Sequence, residues 1–294
     1  AANEKCPQPQ TKEHLMALAA KRIGNVIIVQ NKIDLVSREQ ALESYRQIKE
    51  FVSGTVAEDA PIIPVSAQQN VNIDLLLEAI DRLPIPQRDT EAEPLFFIAR
   101  SFDINKPGTN IEDISGGVLG GTLKKGTLKV GDEIEILPGL IIEEHGTVNV
   151  KPVRTFIADI VAGKNHLREA SPSGSLAIST KLDPLLTKGD NLGGNILGII
   201  GKLPPVVREL RFKVKLFENI VGLEEEVKVD ALKMNEILLL SVNTAVTVGA
   251  VTEIKGDRIK MNLRIPTCPL KGTEIGIARN IKGRWRLIGY GVVE

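Results

Sequence analysis

Two short polar stretches, each at the end of an apolar run, carry the residue types from which a purine-reading site can be built. The first is Asn31-Lys32-Ile33-Asp34, following Val26-Ile-Ile-Val-Gln30; the second is Ser66-Ala67-Gln68, following Ile62-Ile-Pro-Val65. A carboxylate at Asp34 can accept from the ring N1–H and the exocyclic amine of guanine together, a bidentate fit that adenine does not offer. The backbone N–H after Ser66 can donate to guanine O6, where adenine carries a donor amine instead. Lys32 can lay its aliphatic stem along the base while its ammonium stays in water. Asn31 has the chemistry to tie the first loop together, and Ser66, Ala67 and Gln68 to close over O6.

An Asn-Lys-x-Asp string taken alone is a weak pattern that also suits an ordinary polar turn. Context strengthens it here, because both pieces follow apolar strands and ligands of open α/β sheets sit at the carboxyl ends of strands. The intervening chain fits that plan. Ser37-Arg-Glu-Gln40 reads as a capping box, opening a helix whose Leu42, Tyr45, Ile48 and Val52 form an apolar face at helical spacing. Ile73 to Ile80 reads as a second amphipathic helix that stops near Leu83, because Pro84 restricts the residue before it. Upstream, Thr11 is expected to cap a helix running to about Arg22, with Leu15 and Leu18 on one face. His14 reads as a helix-surface histidine, with no nucleophile or second histidine beside it. Strands alternating with helices over residues 1–83 predict a parallel α/β sheet.

The pattern changes at Leu83-Pro-Ile-Pro86-Gln-Arg-Asp89, a stiff proline-rich linker. Beyond it, Leu95–Ala99, Val118–Leu119, Glu133–Leu137, Pro152–Val161 and Ser175–Ile178 read as strands. Gly116-Gly117, Gly120-Gly121, Gly126, Gly131 and Pro138-Gly139 punctuate them as turns, which predicts a closed barrel. A second hinge, Leu203-Pro-Pro-Val206, precedes strands at Leu210–Phe217, Ile237–Val242, Ala250–Ile254, Ile259–Leu263, Glu274–Ala278 and Trp285–Gly289. The expected architecture is multi-domain α/β plus all-β, with an α/β piece over 1–88 and β-barrels over 89–203 and 204–294. Asp113-Ile-Ser-Gly116 and Asp190-Asn-Leu-Gly193 match a D-x-x-G pattern but lie among strands, and they read as turns. Arg284-Trp285-Arg286 resembles an RNA-contacting cluster; a barrel strand with Trp285 buried in the core is the preferred reading.

Composition narrows the function classes. Lys+Arg and Asp+Glu are both 37 among 294 residues, so net charge gives no general attraction to nucleic acid. Aromatic residues are 3% of the chain, too few for extensive base-stacking platforms. Cys6 and Cys268 form no metal-binding spacing or disulfide framework, which fits a reducing cytoplasm. No apolar run has the length of a membrane span. The chain is expected to lack the first half of a nucleotide domain: no G-x-x-x-x-G-K-[ST] phosphate loop occurs, and magnesium ligands and a water-orienting residue are missing with it. The opening Ala1-Ala-Asn-Glu reads as the middle of a domain.

Several longer strings carry a family resemblance. Asn31-Lys-Ile-Asp34, Gly54-Thr-Val-Ala-Glu58, Ala60-Pro-Ile-Ile-Pro-Val-Ser-Ala67, Arg100-Ser-Phe-Asp-Ile-Asn-Lys-Pro-Gly108, Thr180-Lys-Leu-Asp-Pro184, Leu186-Thr-Lys-Gly-Asp190 and Arg284-Trp-Arg-Leu-Ile-Gly-Tyr-Gly291 resemble the gamma-subunit family of archaeal and eukaryotic translation initiation factor 2. Gly116-Gly-Val-Leu-Gly-Gly-Thr-Leu and Val130-Gly-Asp-Glu-Ile-Glu-Ile136 are shared more widely with elongation factor Tu relatives. The resemblance implies a translation GTPase built from a G domain and two β-barrels, binding GTP or GDP with Mg2+ in the full-length protein. It implies a cytoplasmic factor that carries initiator methionyl-tRNA to the small ribosomal subunit within a heterotrimer of alpha, beta and gamma subunits. The tRNA acceptor end would sit between G domain and first barrel and the alpha subunit on that barrel; the helices near 38–53 and 72–83 are candidate neighbours of the beta subunit, and a core role explains their apolar faces equally well. Carried over by position, Asn31, Lys32, Asp34, Ser66, Ala67 and Gln68 are the base-contacting residues. With no phosphate loop, this chain is expected to be inactive in hydrolysis by itself. Alternatives are a selenocysteine-tRNA elongation factor, a sulfurylase GTPase subunit, or a double-barrel interaction module without nucleotide.

Overall fold

The computed structural model describes residues 1–20, 23–144, 146–220 and 227–294. They form two compact units, Ala1–Pro86 with Glu218–Lys228, and Gln87–Phe217 with Val229–Glu294. In the first unit, helix α1 (Pro9–Ala20), strand β1 (Ile28–Gln30), helix α2 (Arg38–Val52), strand β2 (Ile62–Pro64) and helix α3 (Ile73–Asp81) follow in order. β1 and β2 pair in parallel with Gln30 opposite Pro64, as expected for strands joined by a helical crossover.

Local chemistry explains the helix boundaries. α1 starts two residues before Thr11: the Lys12 N–H donates to the Gln8 carbonyl, and Pro9 opens the helix, where its missing N–H costs nothing. The expected end near Arg22 lies outside the described residues. The Ser37 capping box is present, with Ser37 Oγ accepting from Gln40 N and the Gln40 side chain accepting from Ser37 N. The inward face of α2 departs from the expected one at Leu42, while Tyr45 and Ile48 are half-buried and Val52 is buried as expected. Ser44 and Val52 are buried whereas Leu42 is half exposed; two residues from Ser44 puts Leu42 on the far side of the helix. α3 ends at Asp81, with Arg82 as its cap, shortly before Pro84.

The second unit is all β. Strands β3 (Leu95–Phe102), β4 (Val118–Lys125), β5 (Leu128–Lys129), β6 (Glu133–Glu144), β7 (Thr147–Ala162), β8 (Asn165–Leu167), β9 (Glu169–Ala170), β10 (Leu176–Thr180) and β11 (Ile196–Ile199) come first. Seven of them form a sheet in the order β10-β4-β3-β11-β6-β7-β8, and a further β10–β7 pairing closes it into a barrel. β5 and β9 pair separately. Phe96, Ile98, Leu119, Leu123, Ile134, Ile136, Ile160 and Ile178 fill the barrel core. Strands β12 (Val207–Leu216), β13 (Ile237–Val242), β14 (Ala245–Lys255), β15 (Arg258–Thr267), β16 (Glu274–Ile281) and β17 (Arg284–Val293) close a second barrel in the order β12-β15-β14-β13-β16-β17. Closure leaves neither sheet with a free central edge. Leu95, Leu137, Ile196 and Cys268 join the two barrels in one apolar cluster, and an Arg208 guanidinium donates to the Val148 carbonyl at 2.6 Å. Burial in that cluster pushes the Cys268 thiol up to about 12.

Three expectations in this unit are corrected. Gly120 and Gly121 lie inside β4 and Pro138-Gly139 inside β6, so these pairs are not turns. A Cβ on Gly121 would stand 1.9 Å from the Phe97 carbonyl oxygen, so the glycine is there for close strand approach. β11 carries too little sequence signal to read as a strand: it is four residues long, contains Gly198, and lies between β3 and β6. Trp285 is not buried in the core: it is 39% exposed, pairing with Asn280 next to the Ile281–Arg284 pair at the end of the hairpin. Asp190-Asn-Leu-Gly193 is a turn as read, closed by the Gly193 N–H donating to the Asp190 carbonyl at 2.8 Å.

Candidate functional site

The two polar stretches emerge side by side from the carboxyl ends of β1 and β2, because parallel pairing puts both exits on one edge. The strands hand their hydrogen-bond ladder on to the loops. Val65 N donates to the Gln30 carbonyl at 2.9 Å, and Ile33 N returns to the Val65 carbonyl at 3.3 Å. Gln30, almost completely buried, donates from Nε2 to the Ala41 carbonyl at 2.8 Å and so fastens the end of β1 to α2. A buried carboxamide is retained at such a position only when its polar atoms are partnered.

Asn31 is the junction. Its Oδ1 accepts from Lys32 N at 2.7 Å and from Ala67 N at 3.2 Å, joining the loops across the sheet edge. Lys32 adopts a left-handed backbone, φ 65 and ψ 34, a conformation uncommon outside glycine, asparagine and aspartate. Ile33–Leu35 then make a single 3-10 turn that carries Asp34. Asp34 is exposed and has no hydrogen bond or ion pair among the described residues, so both carboxylate oxygens are available as acceptors. The Lys32 ammonium is likewise exposed and unpaired among them.

In the second loop Ser66 is fully buried while Ala67 and Gln68 are exposed. Ser66 and Val71 exchange backbone bonds in both directions, and Ser66 Oγ accepts from Gln69 N at 3.2 Å. Ser66 is therefore a structural residue of the loop, with its side chain turned to the backbone. The Ala67 N–H, assigned to guanine O6 on sequence grounds, donates here to Asn31. At 3.2 Å that bond is at the long end of the ordinary range. Gln68, next in line, makes no hydrogen bond among the described residues. Two residues that sequence reasoning passed over support the site from behind: Gln30, and Asn72, whose Nδ2 donates to the Pro64 carbonyl at 2.8 Å. A polar residue closing an apolar strand and an asparagine before a helix were the available signals.

The arrangement offers a free carboxylate, exposed backbone amides and a lysine stem on one loop-lined edge. That donor and acceptor set matches the edge of a guanine base. Among the described residues no group of three or more His, Cys, Asp or Glu could hold a metal ion, and no helix is long and apolar enough to cross a membrane.

Comparison with known proteins adds a sequence-wide view. The family described as the elongation factor Tu GTP binding domain matches residues 1–85, and that described as initiation factor eIF2 gamma, C terminal, matches residues 208–293. Translation initiation factor 2 subunit gamma of Pyrococcus furiosus is 54% identical over the whole of this chain, which spans 72% of that relative. The same subunit of Archaeoglobus fulgidus is also 54% identical over the whole chain, which spans 69% of it. Among solved structures, translation elongation factor SelB of Methanococcus maripaludis in its apo form superposes with a TM-score of 0.73 at 21% identity. That match covers 98% of this chain and 62% of the other. At that identity the likeness speaks for the fold alone, a G-domain portion followed by two β-barrels.

Proposed function

Because the chain belongs to the family of translation initiation factor 2 gamma subunits, we propose that it binds guanine nucleotide and carries initiator methionyl-tRNA to the small ribosomal subunit. Within this reading, Asp34 accepts from the N1–H and exocyclic amine of guanine, Lys32 covers the ring, and Asn31 holds the two loops in register. The second loop offers its amides to O6, that of Gln68 free among the described residues and that of Ala67 shared with Asn31 Oδ1, and buried Ser66 shapes the turn that carries them. The observation that carries the reading is the bond from Ala67 N to Asn31 Oδ1, which gathers all six residues at the exits of two adjacent parallel strands. The identity of 54% to gamma subunits over the full chain speaks against a sulfurylase subunit, a selenocysteine elongation factor or a nucleotide-free module.

The partners proposed are initiator methionyl-tRNA, the alpha and beta subunits of the same factor, and the small ribosomal subunit, in the cytoplasm. Residues 1–88, 89–203 and 204–294 are proposed as the G-domain portion and two barrel domains. Magnesium would accompany the nucleotide's phosphates.

Asp34→Asn tests the assignment in the whole product of the gene. The carboxamide loses one acceptor and gains a donor, so preference should move from guanine toward xanthine nucleotides. Sites built on such hydrogen bonds discriminate by on the order of 10⁴. Competition binding with GDP and xanthosine diphosphate reads the change, and unaltered GDP affinity in the variant overturns the assignment.

A further inference from the structure

We propose that Asn72 is a positioning residue that sets the aim of the Ala67 and Gln68 amides, and thereby the reading of guanine O6; this rests on the guanine-site reading above. Asn72 stands immediately before α3, where an asparagine ordinarily accepts from an amide of the first helical turn. It does not do so here. Its backbone is left-handed, φ 57 and ψ 23, and its side chain turns back from the helix so that Nδ2 donates to the Pro64 carbonyl at 2.8 Å.

The choice of Pro64 has a geometric reason. Val65 N–H points at Gln30 on β1. Across a trans peptide the carbonyl of the preceding residue points the opposite way, so the Pro64 oxygen faces away from β1. Asn72 supplies a donor to this edge carbonyl and in the same bond ties the loop exit to the strand that feeds the loop. Between those ends the Ser66–Val71 pairing and the Gln69 N to Ser66 Oγ bond close the turn. The loop is thus held by two carboxamides: Asn31 grips Ala67 N from the first loop, and Asn72 grips the strand end from behind. Asp34 is on the other loop and shares neither bond, so the two edges of the base are set by separable parts of the chain.

That separation gives a readout beyond mere stability. Asn72→Gly keeps a residue comfortable at positive φ and deletes the carboxamide. Asn72→Asp keeps the shape and removes the donor. In the whole gene product, affinities for GDP, 6-thioguanosine diphosphate (sulfur, a weak acceptor, in place of O6, with N1–H and the exocyclic amine kept) and inosine diphosphate (no exocyclic amine) are measured by competition, with melting curves alongside. Both variants should bind GDP about tenfold more weakly, the scale of one good hydrogen bond. The preference for GDP over the 6-thioguanosine nucleotide should fall by about the same factor, while the preference over inosine diphosphate stays at the parent value. Both preferences unchanged, or both lost together, overturns the role of Asn72. A parent protein that shows neither preference defeats the guanine reading itself, and melting curves identify a variant that is simply unfolded, in which case the other variant decides.

Discussion

Asn31 Oδ1 lies 3.2 Å from the amide nitrogen of Ala67, 36 residues further along the chain, and 2.7 Å from that of Lys32 beside it. One carboxamide oxygen therefore fixes the spacing between two loops that sequence reads as separate motifs. The relationship turns the Asn of Asn-Lys-x-Asp into a clasp, leaving Asp34 as the free acceptor.

Asn31→Ala removes that clasp without touching the Asp34 carboxylate. The stability cost should be modest, about 0.5–1.5 kcal/mol, because the released amides sit at exposed positions where water can replace the lost acceptor. Guanine nucleotide affinity should fall by about tenfold or more, with preferences at both edges of the base reduced, since the loops lose their register. Chemical denaturation and GDP titration of the variant check the two parts. Full GDP affinity with both preferences retained would show that the loops hold their spacing without it.

The loop that resembles a switch motif makes a different prediction. The Asp190 carboxylate accepts from Ser101 N at 3.0 Å and from the Arg100 guanidinium at 2.6 Å, and the Ser101 amide, then Arg100, hold its pKa below the usual aspartate range. A depressed folded pKa means that the stabilisation is fully present above the unfolded value of about 3.9 and is lost as pH falls toward the folded value. Asp190→Asn should thus lower the melting temperature at neutral pH and flatten its decline between about pH 4 and lower values. Melting curves across that range decide it, and parallel profiles for parent and variant would remove the carboxylate from the account. Because the group is exposed, the effect should be small and weakened by salt.

Gly121 tests the packing explanation of the glycine-rich stretch. An added Cβ would meet the Phe97 carbonyl at 1.9 Å and the Phe96 ring at 2.8 Å, both within the core strands of the first barrel. Gly121→Ala should destabilise the barrel by about 1–3 kcal/mol, the range for overpacked cores, with nucleotide affinity unaffected. Urea denaturation followed through the second unit measures it. A neutral substitution would mean that β3 and β4 can separate more easily than their register implies.

Much of the architecture is legible in the sequence. Parallel α/β, then two β-barrels, follow from the loss of helical periodicity after Pro94 and from short apolar runs between turn residues. The Ser37-to-Gln40 cap and the Pro84 stop were legible because they depend on residues a few positions apart. Features that failed to show were those whose partner is distant. Leu42 looked like core from its spacing, yet which stripe of α2 faces inward depends on what packs against it. Trp285 looked like core from its type, yet its place at the end of a hairpin leaves it partly in solvent. β11 is too short and too interrupted to announce itself; its neighbours β3 and β6 define it.

For the candidate site the same division holds. Sequence alone determined which residue types stand at the strand exits, and hence that a carboxylate, a lysine stem and backbone amides were on hand for guanine; this is chemistry set by identity and short spacing. That Ala67 N is gripped by Asn31, that Ser66 turns inward and that Asn72 reaches back to Pro64 are properties of the folded chain. Those bonds are made between groups that chain folding brings together, and their geometry depends on the pairing of β1 with β2, which no local pattern specifies.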